Sequence, residues 1–531
     1  MMLGAALLVP AAMASPPTLR SMSWSHLSRQ ELRGPAARVG PPPRYFTTFQ
    51  DHFDGKNNRT WQQAYYVNAS QFDGTGPVFL CVGGEGPPLD GSVVTASPHC
   101  NVAVEMLPAT KGIMFAVEHR YYGARAGPNL LPRAPPPCMR ARAQLIRPCL
   151  FRPLTGCHNM SACPYSSSDA KPLTWLSSHQ ALMDLATFHS FATIEYGLTK
   201  PGNKWITFGG SYPGMLAGWS RVLYPSLFHA SISSSAPVIA KLDMVEYFDI
   251  TARAYSLTSV GGSAACEANI RKGHVSIKQL FNTSAGRAQL ASLFPAVKIH
   301  GSDWLSTREG QSEFAGNGVI SFPSQSNDPS CTGYACNIAQ ICKVMTGGEA
   351  ASPLHRLAKL ASHWEKERVE AEAVKLVEEE KRGTSPHELL DYWGYQTCTE
   401  FGFYQTCEIG SKCFFAQGYN LLPGDDAFCH ADYQITPKQI QANIDASNAY
   451  YGAGRPDLAH NASRILYVNG DVDPWSGLSI LKSPAPALPT LLVPGASHHA
   501  WTHPSKAGDQ PSVVHARGLI RKQIEAWLAE A

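Results

Sequence analysis

A serine set among small residues, between a strand and a helix, constrains this chain more than any other feature. The apolar run 204–208 predicts a buried strand, the run 215–223 predicts a helix, and the Gly-Gly-Ser-Tyr sequence 209–212 joins them. A sharp strand-to-helix turn needs small residues, and it holds a serine hydroxyl at the sheet edge in front of the helix N-terminus. The pattern predicts a nucleophile elbow at Ser211, although Pro213 stands where the usual pattern has glycine. An ordinary tight turn with a buried serine is the alternative.

Further strand candidates alternate with helical segments. Strands are expected over 77–82, 113–118, 204–208, 229–235, 464–469 and 490–494, and helices over 176–196 and 513–528. Strands that alternate with helices indicate a parallel sheet with crossover helices. We therefore expect an α/β protein of the α/β-hydrolase kind, with a mostly parallel sheet and an inserted, mainly helical cap domain.

Two segments interrupt the strand rhythm. The first is rich in Pro, Arg and Cys, which is typical of a surface insertion closed by its own disulfides. The second carries helical apolar spacing amid Glu and Lys, and it is interpreted as the cap. The predicted order is a signal peptide (1–14), a loose segment (15–44), a first hydrolase part (45–239) with a Cys-rich insertion (124–172), the helical cap (240–445) and a second hydrolase part (446–531).

Cysteines and glycosylation sequons indicate the compartment. The chain has 14 cysteines, and N-x-S/T sequons stand at Asn58, Asn68, Asn159, Asn282 and Asn461. Both features suit an oxidising, glycosylating environment. A net charge of +3 is too small to indicate nucleic acid, and no later apolar run reaches the roughly twenty residues of a membrane span. We expect a protein of the secretory pathway, secreted or delivered to a lysosome or vacuole, with a homodimer left open.

Two candidate partners for the serine follow the last two predicted strands. Asp473 follows the first of them and His498 follows the second. In the α/β-hydrolase arrangement the order is Ser, Asp, His, each at the C-terminal end of a strand. A serine hydroxyl needs such a base, and the base needs an orienting carboxylate. Asp471 competes with Asp473 for the acid, and His499 competes with His498 for the base.

Other residues are candidates for the remaining parts of such a site. The N–H of Tyr212, directly after the serine, and that of Gly84, in a glycine-rich loop after an early strand, are the candidate oxyanion donors. Met215 and Trp475 are candidate walls of an apolar substrate pocket, although both also suit an ordinary core. The chemistry requires no metal or organic cofactor, and the C-x₂-C spacing of zinc sites is absent.

Several strings together resemble one peptidase family. They are residues 83–86, 118–123, 209–212, 469–475, 495–498 and, most specifically, the string Tyr395–Gln405. On these the chain resembles the lysosomal Pro-X carboxypeptidase family, which also includes dipeptidyl peptidase II and thymus-specific serine protease, and its later cysteines are most similar to the thymus-specific branch. The resemblance implies Ser211, Asp473 and His498 as a triad, and it favours Asp473 over Asp471 because the family acid precedes Pro-Trp.

The resemblance also implies an activity. Its members are serine peptidases that favour proline on the acyl side of the cut, so peptides are the expected substrates. Glu85 and Glu400 are candidate binders of a substrate amine, which favours dipeptide release over carboxypeptidase action, and an endopeptidase is also open. Two alternatives are an esterase or lipase with the same triad, and a secreted binding protein on a catalytically silent scaffold.

Overall fold

The computed structural model describes residues 40–123, 172–348, 351–366, 391–422 and 426–530. The predicted signal peptide (1–14) and the predicted Cys-rich insertion (124–172) lie outside these residues, apart from residue 172. The sequon at Asn159 lies outside them as well.

An eight-stranded sheet forms the centre of the molecule. In chain order the strands are β1 (Arg44–Phe49), β2 (Thr60–Asn68), β3 (Val78–Val82), β4 (Ile113–Val117), β5 (Trp205–Gly210), β6 (Ala230–Ser234), β7 (Lys241–Asp243), β8 (Gly402–Tyr404), β9 (Ile465–Gly470) and β10 (Thr490–Val493). The sheet order is β1-β2-β4-β3-β5-β6-β9-β10, and β7 pairs with β8 in a separate small sheet. β1 and β2 are antiparallel to their neighbours, and the remaining strands of the large sheet are parallel.

All six strands predicted from apolar runs are present, and their ends differ from the predictions by at most two residues. Parallel strands with both faces covered need apolar side chains at nearly every position, and β3 and β4 are buried along their whole length. β1 and β2 were not predicted as strands. Polar residues interrupt both, and β1 lies at the sheet edge with half of its residues exposed.

Helices cover both faces of the sheet and make up most of the insertion between β6 and β9. They are α1 (Asn101–Thr110), α2 (Ser178–Glu195), α3 (Tyr212–Leu223), α4 (Val245–Ala254), α5 (Ala264–Leu280), α6 (Ser284–Leu293), α7 (Pro295–His300), α8 (Arg308–Ala315), α9 (Ile338–Thr346), α10 (353–366), α11 (Tyr392–Gln396), α12 (Ala427–Tyr433), α13 (Pro437–Tyr451), α14 (Pro456–His460) and α15 (Pro511–Ala529). One apolar layer joins the sheet to α2 and α3. The other joins it to α1 and α15. None of the helices in the described ranges is both long enough and apolar enough to cross a bilayer.

The helices between β6 and β9 form an insertion, which we call the cap. The cap also contains the short β7–β8 pair, which was not predicted. The predicted boundary at residue 445 falls inside α13, because this helix serves both parts of the molecule. Its Ile440 and Ile444 pack within the cap, whereas Tyr451 stacks on Trp219 of α3 with ring centroids 3.7 Å apart. The architecture is an α/β-hydrolase fold with a mainly helical insertion.

All ten cysteines in the described ranges form disulfides. Cys81–Cys100 lies in the sheet region, and Cys266–Cys342, Cys331–Cys336, Cys398–Cys429 and Cys407–Cys413 lie in the cap.

The sequons differ in accessibility. Asn58, Asn282 and Asn461 are exposed. Asn68 is half-buried and its Nδ2 donates to the Val94 carbonyl at 2.8 Å. This nitrogen is the atom to which a glycan would be attached, so Asn68 differs from the exposed sequons in having that nitrogen hydrogen-bonded.

Candidate active site

Ser211 occupies a strained turn between β5 and α3. Its backbone has φ 64° and ψ −133°, which is uncommon for a residue with a side chain and persists only where the surroundings fix it. The Ser211 N–H donates to the Ser234 carbonyl on the neighbouring strand at 3.0 Å. A Cβ on Gly209 would lie 2.1 Å from the Pro213 carbonyl oxygen, so the turn admits only glycine there. Ser211 therefore stands on a sharp strand-to-helix turn, with Gly209 two residues before it and Pro213 two residues after it.

The structure brings Asp473 and His498 together. His498 Nδ1 lies 2.9 Å from Asp473 Oδ2, and the other carboxylate oxygen accepts the Trp475 N–H at 3.0 Å. Asp473 is fully buried and His498 nearly so. A carboxylate accepts from Nδ1–H, which leaves Nε2 as the acceptor. Nε2 has no hydrogen-bond partner among the described residues, and the His498 side chain lines the same cavity as Ser211.

The competing acid and imidazole have other partners. Asp471 Oδ1 accepts the Gly495 N–H at 2.6 Å, and burial raises the pKa of this carboxyl. The imidazole of His499 has its Nδ1 3.1 Å from Thr502 Oγ1, and the backbone N–H of His499 donates to Ser235 Oγ at 2.8 Å. Burial, followed by nearby His498, holds the His499 pKa well below its ordinary value. Both residues therefore shape the loops around the Asp–His pair. Within the described ranges, no group of three or more His, Cys, Asp or Glu side chains is arranged to hold a metal ion.

The two candidate oxyanion donors are the backbone N–H groups of Tyr212 and Gly84. Tyr212 is the first residue of α3, and the first N–H groups of a helix have no partner within it. Gly84 follows the end of β3 and packs against Pro213, because a Cβ at this position would lie 2.2 Å from Pro213 Cγ. Both residues line the cavity together with Ser211.

The Tyr212 side chain is fixed by a buried hydrogen-bond chain. Its hydroxyl accepts from Gln396 Nε2 at 3.0 Å and lies 3.0 Å from His119 Nε2. Burial lowers the pKa of His119 to about 4, so the ring is neutral, and its Nδ1–H donates to the Arg120 carbonyl. The Tyr122 hydroxyl donates to Gln396 Oε1 at 2.6 Å. These hydrogen bonds connect the sequence segments 118–123 and Tyr395–Gln405 to the turn that holds Ser211.

Glu400 does not line the cavity, contrary to its predicted role as an amine binder. Its carboxylate accepts the Ser178 N–H at 2.9 Å, the Ser178 hydroxyl at 2.5 Å and Gln396 Nε2 at 3.0 Å. Ser178 begins α2, and an acidic group at a helix N-terminus is favoured by the helix dipole. Burial raises the pKa of Glu400. These bonds assign Glu400 to the support of α2 and the Tyr212 chain, whereas Glu85 does line the cavity.

The cavity has a volume of about 1870 Å³ and an apolar wall. The candidate wall residues Met215 and Trp475 line it, together with Tyr247 and Phe403 of the cap. The Trp475 ring meets Tyr247 edge-on at 5.4 Å and Phe403 edge-on at 5.6 Å. Sequence reasoning missed both cap aromatics. Phe403 belongs to the specific string Tyr395–Gln405, which could have indicated it, but no local pattern marks Tyr247.

Three features define an enzyme scaffold of the serine-hydrolase class. They are the strand order, the strained serine turn after β5, and the Asp–His pair on the loops after β9 and β10. The chain belongs to the peptidase family described as serine carboxypeptidase S28, whose model matches residues 48–129 and 161–520. It is therefore a serine-type peptidase, and the resemblance stated from its motifs is confirmed.

Individual relatives match over nearly the whole chain. Thymus-specific serine protease of Homo sapiens is 29% identical over 517 residues, which cover 93% of this chain and 88% of the relative. Its counterpart in Mus musculus is 30% identical over 501 residues, covering 90% and 86%. Lysosomal Pro-X carboxypeptidase of Homo sapiens is 24% identical over 533 residues, covering 98% and 95%.

Proposed function

We propose that this serine peptidase cleaves peptides after proline through an acyl-enzyme formed on Ser211. The observation that carries the proposal is the buried Asp473–His498 pair, whose unpartnered Nε2 belongs to the side chain that lines the cavity beside Ser211. A carboxylate–imidazole pair of this kind converts a neutral hydroxyl into a nucleophile at near-neutral pH.

Each residue has a separate role in the proposed reaction. His498 Nε2 takes the proton of Ser211 as Oγ attacks the peptide carbonyl, and Asp473 fixes the Nδ1–H tautomer and stabilises the imidazolium. The N–H groups of Tyr212 and Gly84 donate to the oxyanion. His498 then gives the proton to the leaving amine, and water repeats the cycle to release the acyl group.

The preference for proline is proposed from the cavity wall. Met215, Trp475, Tyr247 and Phe403 offer apolar and aromatic surface beside the nucleophile. A pyrrolidine ring is compact and apolar, and it carries no amide N–H that such a wall would leave unpaired. The name of the lysosomal Pro-X carboxypeptidase relative is consistent with this preference.

We propose exopeptidase action, by dipeptide release or as a Pro-X carboxypeptidase. Glu85 is the remaining candidate for binding a substrate amine, which favours dipeptide release. The proposed location is the secretory pathway, with secretion or delivery to a lysosome, and the predicted signal peptide (1–14) and the exposed sequons Asn58, Asn282 and Asn461 support it.

The test uses a fluorophosphonate probe and a mixed peptide library read by mass spectrometry. Wild-type protein should take the label and cut after proline near one peptide end, and Ser211→Ala should do neither. Hydrolysis of simple fatty-acyl esters without peptide cleavage would favour an esterase or lipase instead. Absence of label on the folded wild type would favour the catalytically silent binding protein.

A further inference from the structure

A short cap segment lies against both loops that carry the proposed acid and base. Over residues 324–327, Ser324 Oγ donates to the Val472 carbonyl at 2.6 Å, immediately before the acid. The Asn327 carbonyl accepts from Ser497 Oγ at 2.8 Å, immediately before the base. The segment therefore touches both loops at the residues that precede the proposed catalytic groups, although it belongs to a different part of the fold.

Between these two contacts stands Gln325, which bonds both the base loop and the pocket wall. Its carbonyl accepts the His498 N–H at 3.1 Å. Its side-chain oxygen accepts from Trp475 Nε1 at 3.0 Å and from the Tyr247 hydroxyl at 2.8 Å. An indole N–H can only donate, so the amide oxygen must face it. The backbone N–H of Trp475 in turn donates to the carboxylate of Asp473.

We propose that Gln325 is a positioning residue that couples occupation of the apolar pocket to the placement of His498. The inference rests on the proposed function, since it assigns the pocket to the substrate. The side-chain oxygen of Gln325 accepts hydrogen bonds from two aromatic side chains of the pocket wall. The backbone carbonyl of the same residue accepts the backbone N–H of His498. A substrate ring that presses on Trp475 and Tyr247 therefore acts on the same residue that fixes the proposed base. Tyr247 is buried, so loss of the shared acceptor would remove a buried hydrogen bond from its hydroxyl. The Tyr247 ring, and with it the pocket wall, could then shift.

The test compares Gln325→Leu with a matched control in the same cap. Gln311 of α8 is half-buried, its amide nitrogen donates to the Leu305 carbonyl at 2.8 Å, and it does not line the cavity. Measured quantities are kcat and KM for a proline peptide, the labelling rate with a small fluorophosphonate, and the thermal midpoint. Gln325→Leu should lower kcat on the peptide about 10- to 100-fold, the scale of an approximately 1 Å misplacement. The small probe does not fill the pocket, so its labelling rate should fall less. Gln311→Leu should leave kcat unchanged.

Gln325→Glu supplies a second readout that a purely structural role would not move. The carboxylate keeps an acceptor for Trp475 and Tyr247, so most of kcat should return. An added negative charge near His498 favours the imidazolium, so the acidic limb of the kcat/KM profile should move to higher pH.

Three results would overturn the inference while the wild type remains active. They are equal kcat for Gln325→Leu and Gln311→Leu, proportional losses of peptide cleavage and labelling, and an unmoved acidic limb in Gln325→Glu. If the wild type neither labels nor cleaves proline peptides, the proposed function itself fails, which is a distinguishable outcome.

Discussion

Replacement of Gly84 by alanine tests the proposed oxyanion loop most directly. The added Cβ would lie 2.2 Å from Pro213 Cγ and 2.5 Å from Pro213 Cδ. Carbon atoms pack best at about 3.5–4.0 Å, so the loop after β3 and the start of α3 must separate by more than about 1 Å. Because a proline ring is stiff and follows the strained Ser211, the loop should yield and carry the Gly84 N–H away from the nucleophile.

The expected cost can be divided between catalysis and stability. Loss of one oxyanion donor lowers kcat by about 10² to 10³. Overpacking by one methyl group costs about 1–3 kcal/mol of unfolding free energy. The assay is steady-state hydrolysis of a proline peptide by Gly84→Ala, with urea unfolding measured on the same preparation. KM should change much less than kcat, because the donor acts on charge that develops after binding.

Gly86→Ala is the matched control from the same loop. A Cβ at Gly86 would meet nothing within 4 Å, so this variant should keep wild-type kcat and stability. A folded Gly84→Ala variant with more than half of the wild-type kcat would refute the assignment of this N–H. Equal losses in both variants would show instead that the loop needs only glycine flexibility.

Three further predictions concern carboxylates. Asp473→Asn should lower kcat by about 10⁴, because an amide holds the wrong imidazole tautomer, and peptide hydrolysis measures this. Glu85→Gln should raise KM for peptides with a free amine and leave KM for N-acetylated peptides unchanged. Glu400→Gln should lower the thermal midpoint, with little effect on the ratio of these two KM values. The opposite pattern would restore Glu400 as the amine binder. For Asp184, burial opposes ionisation but the bonded Arg120 outweighs it and lowers the pKa to about 2. This lowered pKa stabilises the fold above about pH 4, and the contribution of about 2 kcal/mol should be lost as pH falls towards 2. The unfolding free energy, measured with urea across that pH range, should depend less on pH in Asp184→Asn than in the wild type. Equal pH dependence in the two proteins would contradict this.

Local pattern was sufficient for the centre of the fold. Strands such as β3 and β4 are covered on both faces, so burial demands an uninterrupted apolar run that a reader can recognise. β1 satisfies a different condition, since it lies at the edge and alternates, and its six residues carry too weak a signal. The predicted boundary at residue 445 lies within α13, a helix that packs on both parts of the molecule and shows no change of composition along its length.

The candidate site also contains residues that the local sequence marks and residues that it does not. Ser211, Asp473 and His498 could be proposed as candidates from the sequence because each lies on a turn or loop that follows a strand, where parallel topology gathers loop residues at one edge. Gln325 and Tyr247 could not, because they reach the site through cap packing and not through a sequence repeat. The prediction for Glu400 considered only its chemistry. Its partner Ser178 stands 222 positions away in the chain, and that separation hides the bond from any local reading.

The disulfides bear on how the mouth of the cavity is held. Among the described cysteines, each bridge joins two points within the sheet region or two points within the cap, and none ties one to the other. Oxidation can therefore make each part rigid separately during biosynthesis. The seam between them is held by non-covalent contacts, such as a shared apolar core, the stack of Tyr451 on Trp219 and the bonds of Glu400 to Ser178. Within the part of the chain that the structure describes, the fit of the cap on the sheet therefore rests on packing and hydrogen bonds, with no disulfide across it.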